Sequence, residues 1–190
     1  VPRDAEATKA RIFAAASAEF AAHGVAGARV ERIARAANAN KQLIYAYFGD
    51  KEGLFNAVLQ HALRELADAV PASGGDVEDY VDRLFDYHAE HPEVCRLLLW
   101  EALEYGDRPV PSEPERTAHY QDKVDAMATA DRTGDALAPD VLTLLLLGLV
   151  GWPNAVPQVR RMLLGPDGPD QRDRLRAAVR VAARRLTTRP

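Results

Sequence analysis

An all-α fold, with an amino-terminal group of short helices followed by a longer helical region, is predicted by three observations. Every long stretch with a clear hydrophobic period repeats at helical spacing, and none alternates like a strand or recurs as an internal repeat. The 190 residues are 47% hydrophobic and 27% charged, the composition of one large or two small globular domains and not of a disordered or collagen-like chain. The longest nearly apolar run, residues 141–152, lies between Pro139 and Pro153 and falls short of the roughly 18 residues of a spanning helix, so it reads as buried helix and no membrane partner is expected.

The elements follow in order. From about Ala7 to Ala22, Ile12, Ala16 and Phe20 recur at every fourth position, and Gly24 supplies a stop. Val30, Ile33, Ala34 and Ala37 outline a two-turn amphipathic helix. Asn38 tolerates the left-handed conformation that ends it, and Asn40 is placed to cap a third helix over about Lys41–Tyr47, with Ile44 and Phe48 inward. Asp50 is the expected cap of a fourth helix that continues through Leu54, Phe55, Val58, Leu59, Leu63, Leu66 and Val70 to Pro71. A linker at Pro71–Gly75 precedes helices at about Val77–Glu90, Glu93–Tyr105, Glu115–Ala130 and Asp140–Leu164, the last bent or broken at Trp152-Pro153. A final helix, about Asp170–Leu186, sets Leu175, Ala178, Val179, Ala182 and Leu186 on one face and Arg176, Arg180 and Arg184 on another.

Charge divides the chain unevenly. Residues 1–64 carry a net +3, residues 65–159 a net −13 and residues 160–190 a net +6. A basic head on an acidic body suits a protein that offers one end to a polyanion. Cys95 is the only cysteine, which excludes an intramolecular disulfide framework. Asp4, Glu6, Lys9 and Arg11 stand where a signal peptide needs an apolar stretch, so a cytoplasmic location is expected.

Two short helices joined by a turn of about three residues, with Ala34, Ala36 and Ala37 allowing the first to pack closely beneath helix one, form a helix-turn-helix arrangement. The third helix then offers Lys41, Gln42, Tyr45 and Tyr47 on its outer side. Glutamine pairs bidentately with adenine, lysine donates to guanine or phosphate, tyrosine hydroxyls bond phosphate, and Leu43 suits a thymine methyl.

The segments Gly24–Ala37, Asn38–Phe48 and Asp50–Leu54 closely resemble the DNA-binding region of the tetracycline-repressor (TetR) family. Gly24, Ile33-Ala34, Tyr45-x-x-Phe48 and Lys51-Glu52-x-Leu54 match the family pattern item by item, and the detailed likeness covers roughly residues 8–60. The resemblance implies an amino-terminal three-helix helix-turn-helix DNA-binding domain over residues 1–50 and a helical effector and dimerisation domain over 51–190, joined by helix 51–70. It also implies a homodimeric regulator, most simply a repressor, that binds double-stranded operator DNA as an inverted repeat and leaves it when a small-molecule effector binds. The DNA-contacting set is then Arg29, Asn40, Lys41, Gln42, Leu43, Tyr45, Tyr47 and Lys51, with Tyr47 and Lys51 on phosphates. Ala28-Arg29 stands where the family often has hydroxyl residues, so a side-chain cap is missing there.

In the carboxy-terminal region the leucines of 141–152 need more than one covered face, and Gly148 and Gly151 permit close approach of another helix, which suits a dimer through 140–164 and 170–186. Aromatic and neighbouring side chains suited to an effector pocket are Tyr87, Trp100, Tyr105, His119, Tyr120, Met127 and Trp152. His88, His91 and Cys95 have a superficial metal spacing, but Pro92 interrupts the helix between them and no metal or other cofactor is expected. Without a phosphate loop, G-x-S-x-G or H-E-x-x-H, no enzyme is expected. The alternative is a helical ligand-binding or interaction protein that has lost DNA binding, which Ala28-Arg29 and the mild basicity of the head would suit.

Overall fold

A computed structural model of the chain describes residues 2–72, 76–130 and 137–187. Its helices are α1 (Pro2–Gly27), α2 (Val30–Ala36), α3 (Lys41–Phe48), α4 (Lys51–Ala69), α5 (Val77–Glu90), α6 (Pro92–Tyr105), α7 (Glu113–Ala130), α8 (Pro139–Ala155), α9 (Pro157–Leu164) and α10 (Pro169–Thr187), with no strand among the described residues. Part of the expected linker, residues 73–75, and the end of the basic tail at Arg189 lie outside the described residues. The chain forms two compact units: α1 to α3, α4 as far as Leu66, and α6 make one, and the end of α4, α5 and α7 to α10 make the other.

In the first unit the expected stripes are the buried ones. Ile12, Ala16 and Phe20 of α1 meet Ile33 of α2, Ile44 of α3 and Leu54, Phe55 and Val58 of α4 in the core, all nearly inaccessible, and the Phe20 and Phe55 rings pack edge to face 5.2 Å apart. Of the three alanines expected to bring α2 close to α1, Ala34 and Ala37 are buried, but Ala36 faces solvent, because 100° per residue carries it off the stripe defined by Ile33 and Ala37.

The end of α1 turns on Gly24, whose φ of 67° and ψ of −177° leave the helical region for one that only glycine occupies freely. The Trp100 ring from α6 lies directly over it: a Cβ on Gly24 would sit 2.8 Å from Trp100 Cε3. Trp100 Nε1 donates to the carbonyl of Ala21 at 3.3 Å, and Arg96 Nε donates to the same oxygen at 2.7 Å. Both thereby tie α6 to a carbonyl in the turn just before the break at Gly24.

In the second unit α8 packs against both α5 and α7, and α10 runs along α5. The α5–α10 seam is an ion-pair ladder: Arg172 and Arg176 bond Asp86, Arg180 bonds Glu78 and Asp82, and Arg184 grips Glu78 with Nε at 2.6 Å. The two guanidinium groups hold the Glu78 carboxyl at about 2, well below its ordinary range. Pairing the arginines with α5 turns α10 so that Gln171, Val179, Ala183 and Thr187 are its buried positions, whereas Ala178, expected inward, is exposed.

The expected break in the 140–164 helix occurs three residues later than Pro153. Val156, with φ −123° and ψ 66°, separates α8 from α9. The helical region is disfavoured for a residue before proline; Trp152 stays helical before Pro153, Val156 leaves it before Pro157, and Pro157 takes the first position of α9, where no N–H is needed. The Pro153 carbonyl that Pro157 cannot serve accepts from Arg160 Nη1 at 3.2 Å. Among the described residues no single helix is long and apolar enough to cross a membrane, and α8 and α9, which together have the length, are bent by 83°.

Candidate nucleic-acid interface

The α2–α3 turn is built by two asparagines. Asn38 adopts φ 48°, the left-handed conformation its short polar side chain tolerates. The Asn40 side chain accepts the Gln42 N–H at 2.9 Å, capping α3. Arg11 of α1 reaches across to donate from Nε to the Ala37 carbonyl at 3.2 Å, so the end of α2 is tied to α1.

No side chain caps the first turn of α2, and its N-cap residue Arg29 is instead held from α1. Glu19, ten residues back on α1, accepts the Arg29 N–H at 2.9 Å and the Arg32 guanidinium from Nε at 2.8 Å, while Arg32 Nη2 also donates to Gly27 O at 3.1 Å. The Arg32 bond above all, with the Arg29 N–H, holds the Glu19 carboxyl below its ordinary range against the opposing effect of burial. A carboxylate at a helix amino terminus also suits the helix dipole.

The candidate contact residues are then distributed as follows. Gln42, Tyr45 and Tyr47 are exposed on α3, Leu43 is half-buried, and Ile44 points into the core. Lys41 pairs with Glu31 of α2 and lies 5.6 Å from the Tyr45 ring centre. Asp50 caps α4 by accepting the Gly53 N–H at 2.7 Å, and Gly53 is required there because a Cβ would fall 2.2 Å from the Phe48 carbonyl oxygen. Lys51 folds back, donating to Ala26 O at 3.2 Å and Ala28 O at 3.4 Å. The Arg29 guanidinium makes no hydrogen bond or ion pair among the described residues, and neither does that of Arg35, a residue the sequence reading passed over. Its signal was available: Arg35 follows the buried Ile33-Ala34 pair on the outward side of α2.

The seven effector-pocket candidates divide between the two units. Trp100 is seated on Gly24, and the Tyr105 hydroxyl accepts from Asn56 Nδ2 at 3.3 Å, both within the first unit. Tyr87, His119, Tyr120, Met127 and Trp152 belong to the second unit, where the Tyr87 ring lies tilted against His91 with ring centres 4.3 Å apart, Met127 is buried and Trp152 is 59% exposed. His88 is buried, and burial first, then the Lys123 charge, push its imidazole down to about 4, leaving it neutral at pH 7. Burial also raises the Cys95 thiol to about 11.

A supporting helix locked to α1, a capped left-handed turn and a short helix with a polar outer face define a helix-turn-helix protein. Residues 12–58 match the family described as bacterial regulatory proteins, tetR family, and residues 76–185 match the tetracyclin repressor-like C-terminal domain. The chain belongs to the TetR family of transcriptional regulators. It is 52% identical over 98% of its length to the HTH-type transcriptional repressor SCO4008 of Streptomyces coelicolor, of which it covers 98%. It is 34% identical to the HTH-type transcriptional repressor NicS of Pseudomonas putida over 55% of this chain and 52% of that one. The crystal structure of the transcriptional regulator SCO4942 from Streptomyces coelicolor superposes with a TM-score of 0.77 at 30% identity, covering 96% of this chain and 99% of that one.

Proposed function

We propose that the protein is a homodimeric, ligand-responsive repressor that binds an inverted-repeat operator and leaves it when a small molecule occupies its carboxy-terminal region. The observation that carries this reading is the presentation of Gln42, Tyr45 and Tyr47 on the outward face of a capped α3. The names of SCO4008 and NicS, both repressors, support the direction of regulation. The division of labour we favour is residues 1–50 for the operator and 51–190 for effector and dimer contacts, with α4 continuous between them.

Gln42 reads a base edge from the first turn of α3, and Arg29, Arg35 and Tyr47 lie on phosphates. Lys41 and Lys51 add charge by exchanging their internal partners, Glu31 and the Ala26 and Ala28 carbonyls, for DNA oxygens. Dimerisation is supported by an apolar face on α8: Val141, Leu144, Leu145 and Trp152 are exposed at helical spacing, and Gly148 between them has open space above it. Effector binding shifts the spacing of the paired recognition helices away from the 34–36 Å, or multiple of it, that two half-sites demand.

Selection of bound sequences from random duplexes, followed by salt titration on the selected site, tests the reading. An inverted repeat and a steep fall of affinity with salt are expected, and Gln42→Ala relaxes preference at one base pair per half-site. One observation favours the second reading, a ligand-binding protein without DNA function: both lysines of the α3–α4 region are engaged internally. Binding that is independent of sequence and flat with salt establishes that alternative.

A further inference from the structure

Glu31 sets a carboxylate on the side of α2 that borders the recognition helix. It is the second residue of α2, exposed, and its Oε1 accepts from Nζ of Lys41, the first residue of α3. The bond crosses ten positions and joins the supporting helix to the turn of α3 that carries Gln42. Lys41 is thereby held 5.6 Å from the centre of the exposed Tyr45 ring, on the outward side of α3. The Lys41 bond, ahead of every other cause, keeps the Glu31 carboxyl below its ordinary range, so the pair is ionic at pH 7.

Another cation was nearer in sequence. Arg35 lies one turn along the same exposed side of α2, in the order that favours a carboxylate and guanidinium pair, yet its guanidinium makes no hydrogen bond or ion pair among the described residues. Folding gains little from the pairing with Lys41, because side chains 60% and 43% exposed leave the pair screened by water. Its effect on DNA binding is greater. A carboxylate facing a polyanion repels phosphates at every sequence, and this one also neutralises the lysine at the start of the recognition helix.

One base edge offsets that penalty. In the major groove cytosine presents its N4 amino group as a donor that a carboxylate accepts, beside the O6 and N7 acceptors of its partner guanine, which a lysine serves. A carboxylate and an ammonium within bonding distance of each other are the complement of that pair. Thymine and guanine offer no donor there and leave the carboxylate unpaired, and adenine sets its N6 donor beside its own N7, an arrangement that suits an amide such as Gln42.

We infer that Glu31 is a specificity-determining residue of the operator interface: it accepts from cytosine N4 while Lys41 turns to the neighbouring guanine or phosphate, and on other sequences it keeps Lys41 engaged and repels the duplex. The inference rests on the operator-binding reading above and adds to it a base reader on α2. Because Lys41 is released only where cytosine takes its place, the lysine contributes to affinity at the operator and little elsewhere.

The test measures binding of the full chain, over a range of salt, to the operator selected from random duplexes and to a random duplex of equal length. Glu31→Ala is expected to bind the random duplex about three- to ten-fold more tightly, with a salt slope steeper by about one, and to lower the operator-to-random ratio by about ten-fold or more. Selection repeated with Glu31→Ala loses the preference for cytosine at one position per half-site, and Glu31→Gln, of the same size, shifts it to adenine. Lys41→Ala leaves binding to the random duplex nearly unchanged when made alone and cancels the gain when made in Glu31→Ala. Each variant melts within about 3 °C of the wild type, as loss of an exposed pair requires. A Glu31→Ala variant that weakens both duplexes by one factor, or melts well below that range, makes Glu31 a mere support for Lys41 and overturns the inference. So does a cytosine preference that is the same in wild type and both variants. In these cases the wild type still selects an inverted repeat, and the operator-binding reading stands. If the wild type selects no sequence and its binding is flat with salt, that reading falls and the role of Glu31 falls with it.

Discussion

Gly24→Ala isolates the contact between the end of α1 and α6. Two effects add. The backbone at φ 67° and ψ −177° lies in a region that L-residues enter at about 1–3 kcal/mol. The new Cβ also meets three atoms of the Trp100 ring at 2.8 to 2.9 Å, so the indole must move, and its 3.3 Å bond to the Ala21 carbonyl lengthens. That bond contributes about 1 kcal/mol net, and Arg96 still serves the same carbonyl, so the total loss should be about 2–4 kcal/mol. Urea unfolding followed by far-ultraviolet ellipticity measures it. Pairing the substitution with Trp100→Ala in a double-mutant cycle separates the two effects, because the steric part vanishes when the ring is absent and the backbone part does not. The double variant should therefore be more stable than the sum of the singles by about 1 kcal/mol. Strict additivity, or a Gly24→Ala loss below about 0.5 kcal/mol, the usual scatter of neutral surface changes, refutes the reasoning.

Three further outcomes are expected. Glu19→Ala strips the acceptor shared by the Arg29 N–H and Arg32 and should lower unfolding free energy by about 2 kcal/mol, with Glu19→Gln losing less because its amide oxygen still accepts; parallel denaturant titrations compare them. Glu78 is depressed to about 2 in the fold from an ordinary 4.5, so its pairing with Arg184 and Arg180 stabilises fully above about pH 4.5 and is lost as pH falls toward 2. Water screens the half-exposed guanidinium groups, so Glu78→Gln should remove about 1–2 kcal/mol at pH 7 and only a few tenths at pH 2, as melting curves at the two pH values would report. Leu144→Glu, at a position 69% exposed, should leave the helical signal intact and convert the dimer to monomer in equilibrium sedimentation, and an unchanged dimer would remove α8 from the interface.

What could be read from the residues was whatever depends on near neighbours. Asn38, Asn40 and Asp50 act within three positions of themselves, so turn and caps were legible as types of residue. Glu19 holding the Arg29 N–H and Lys51 serving Ala26 act across 10 and 25 positions, and no local rule announces such pairs. Ala36 and Ala178 were misplaced because a period identifies a stripe but not its edges, which the neighbouring helix decides. The break at Val156 was within reach, since Pro157 constrains the residue before it, whereas Pro153 attracted attention by following the apolar run. In the candidate site, Arg35 was within reach as the outward neighbour of the buried Ile33-Ala34 pair, whereas the pairing of Lys41 with Glu31 depends on how α2 and α3 pack and has no local signal.

The arginines of α10 and the carboxylates of α5 are spaced alike, at 172, 176, 180 and 184 against 78, 82 and 86. Two toothed racks of equal pitch mesh equally well after sliding by one tooth: a shift of α10 by one turn, about 5.4 Å, brings most guanidinium groups opposite another carboxylate. The ladder therefore selects which helix α10 lies against and in which direction it runs, but hardly how far along. That choice belongs to the uncharged teeth, Val179 and Ala183, which have no equivalents one turn away because Leu175 is bulkier and Thr187 is polar. Enlarging Ala183, which is fully enclosed, would press on the one feature that distinguishes neighbouring registers, and α10 could slip a tooth while keeping nearly all of its ion pairs.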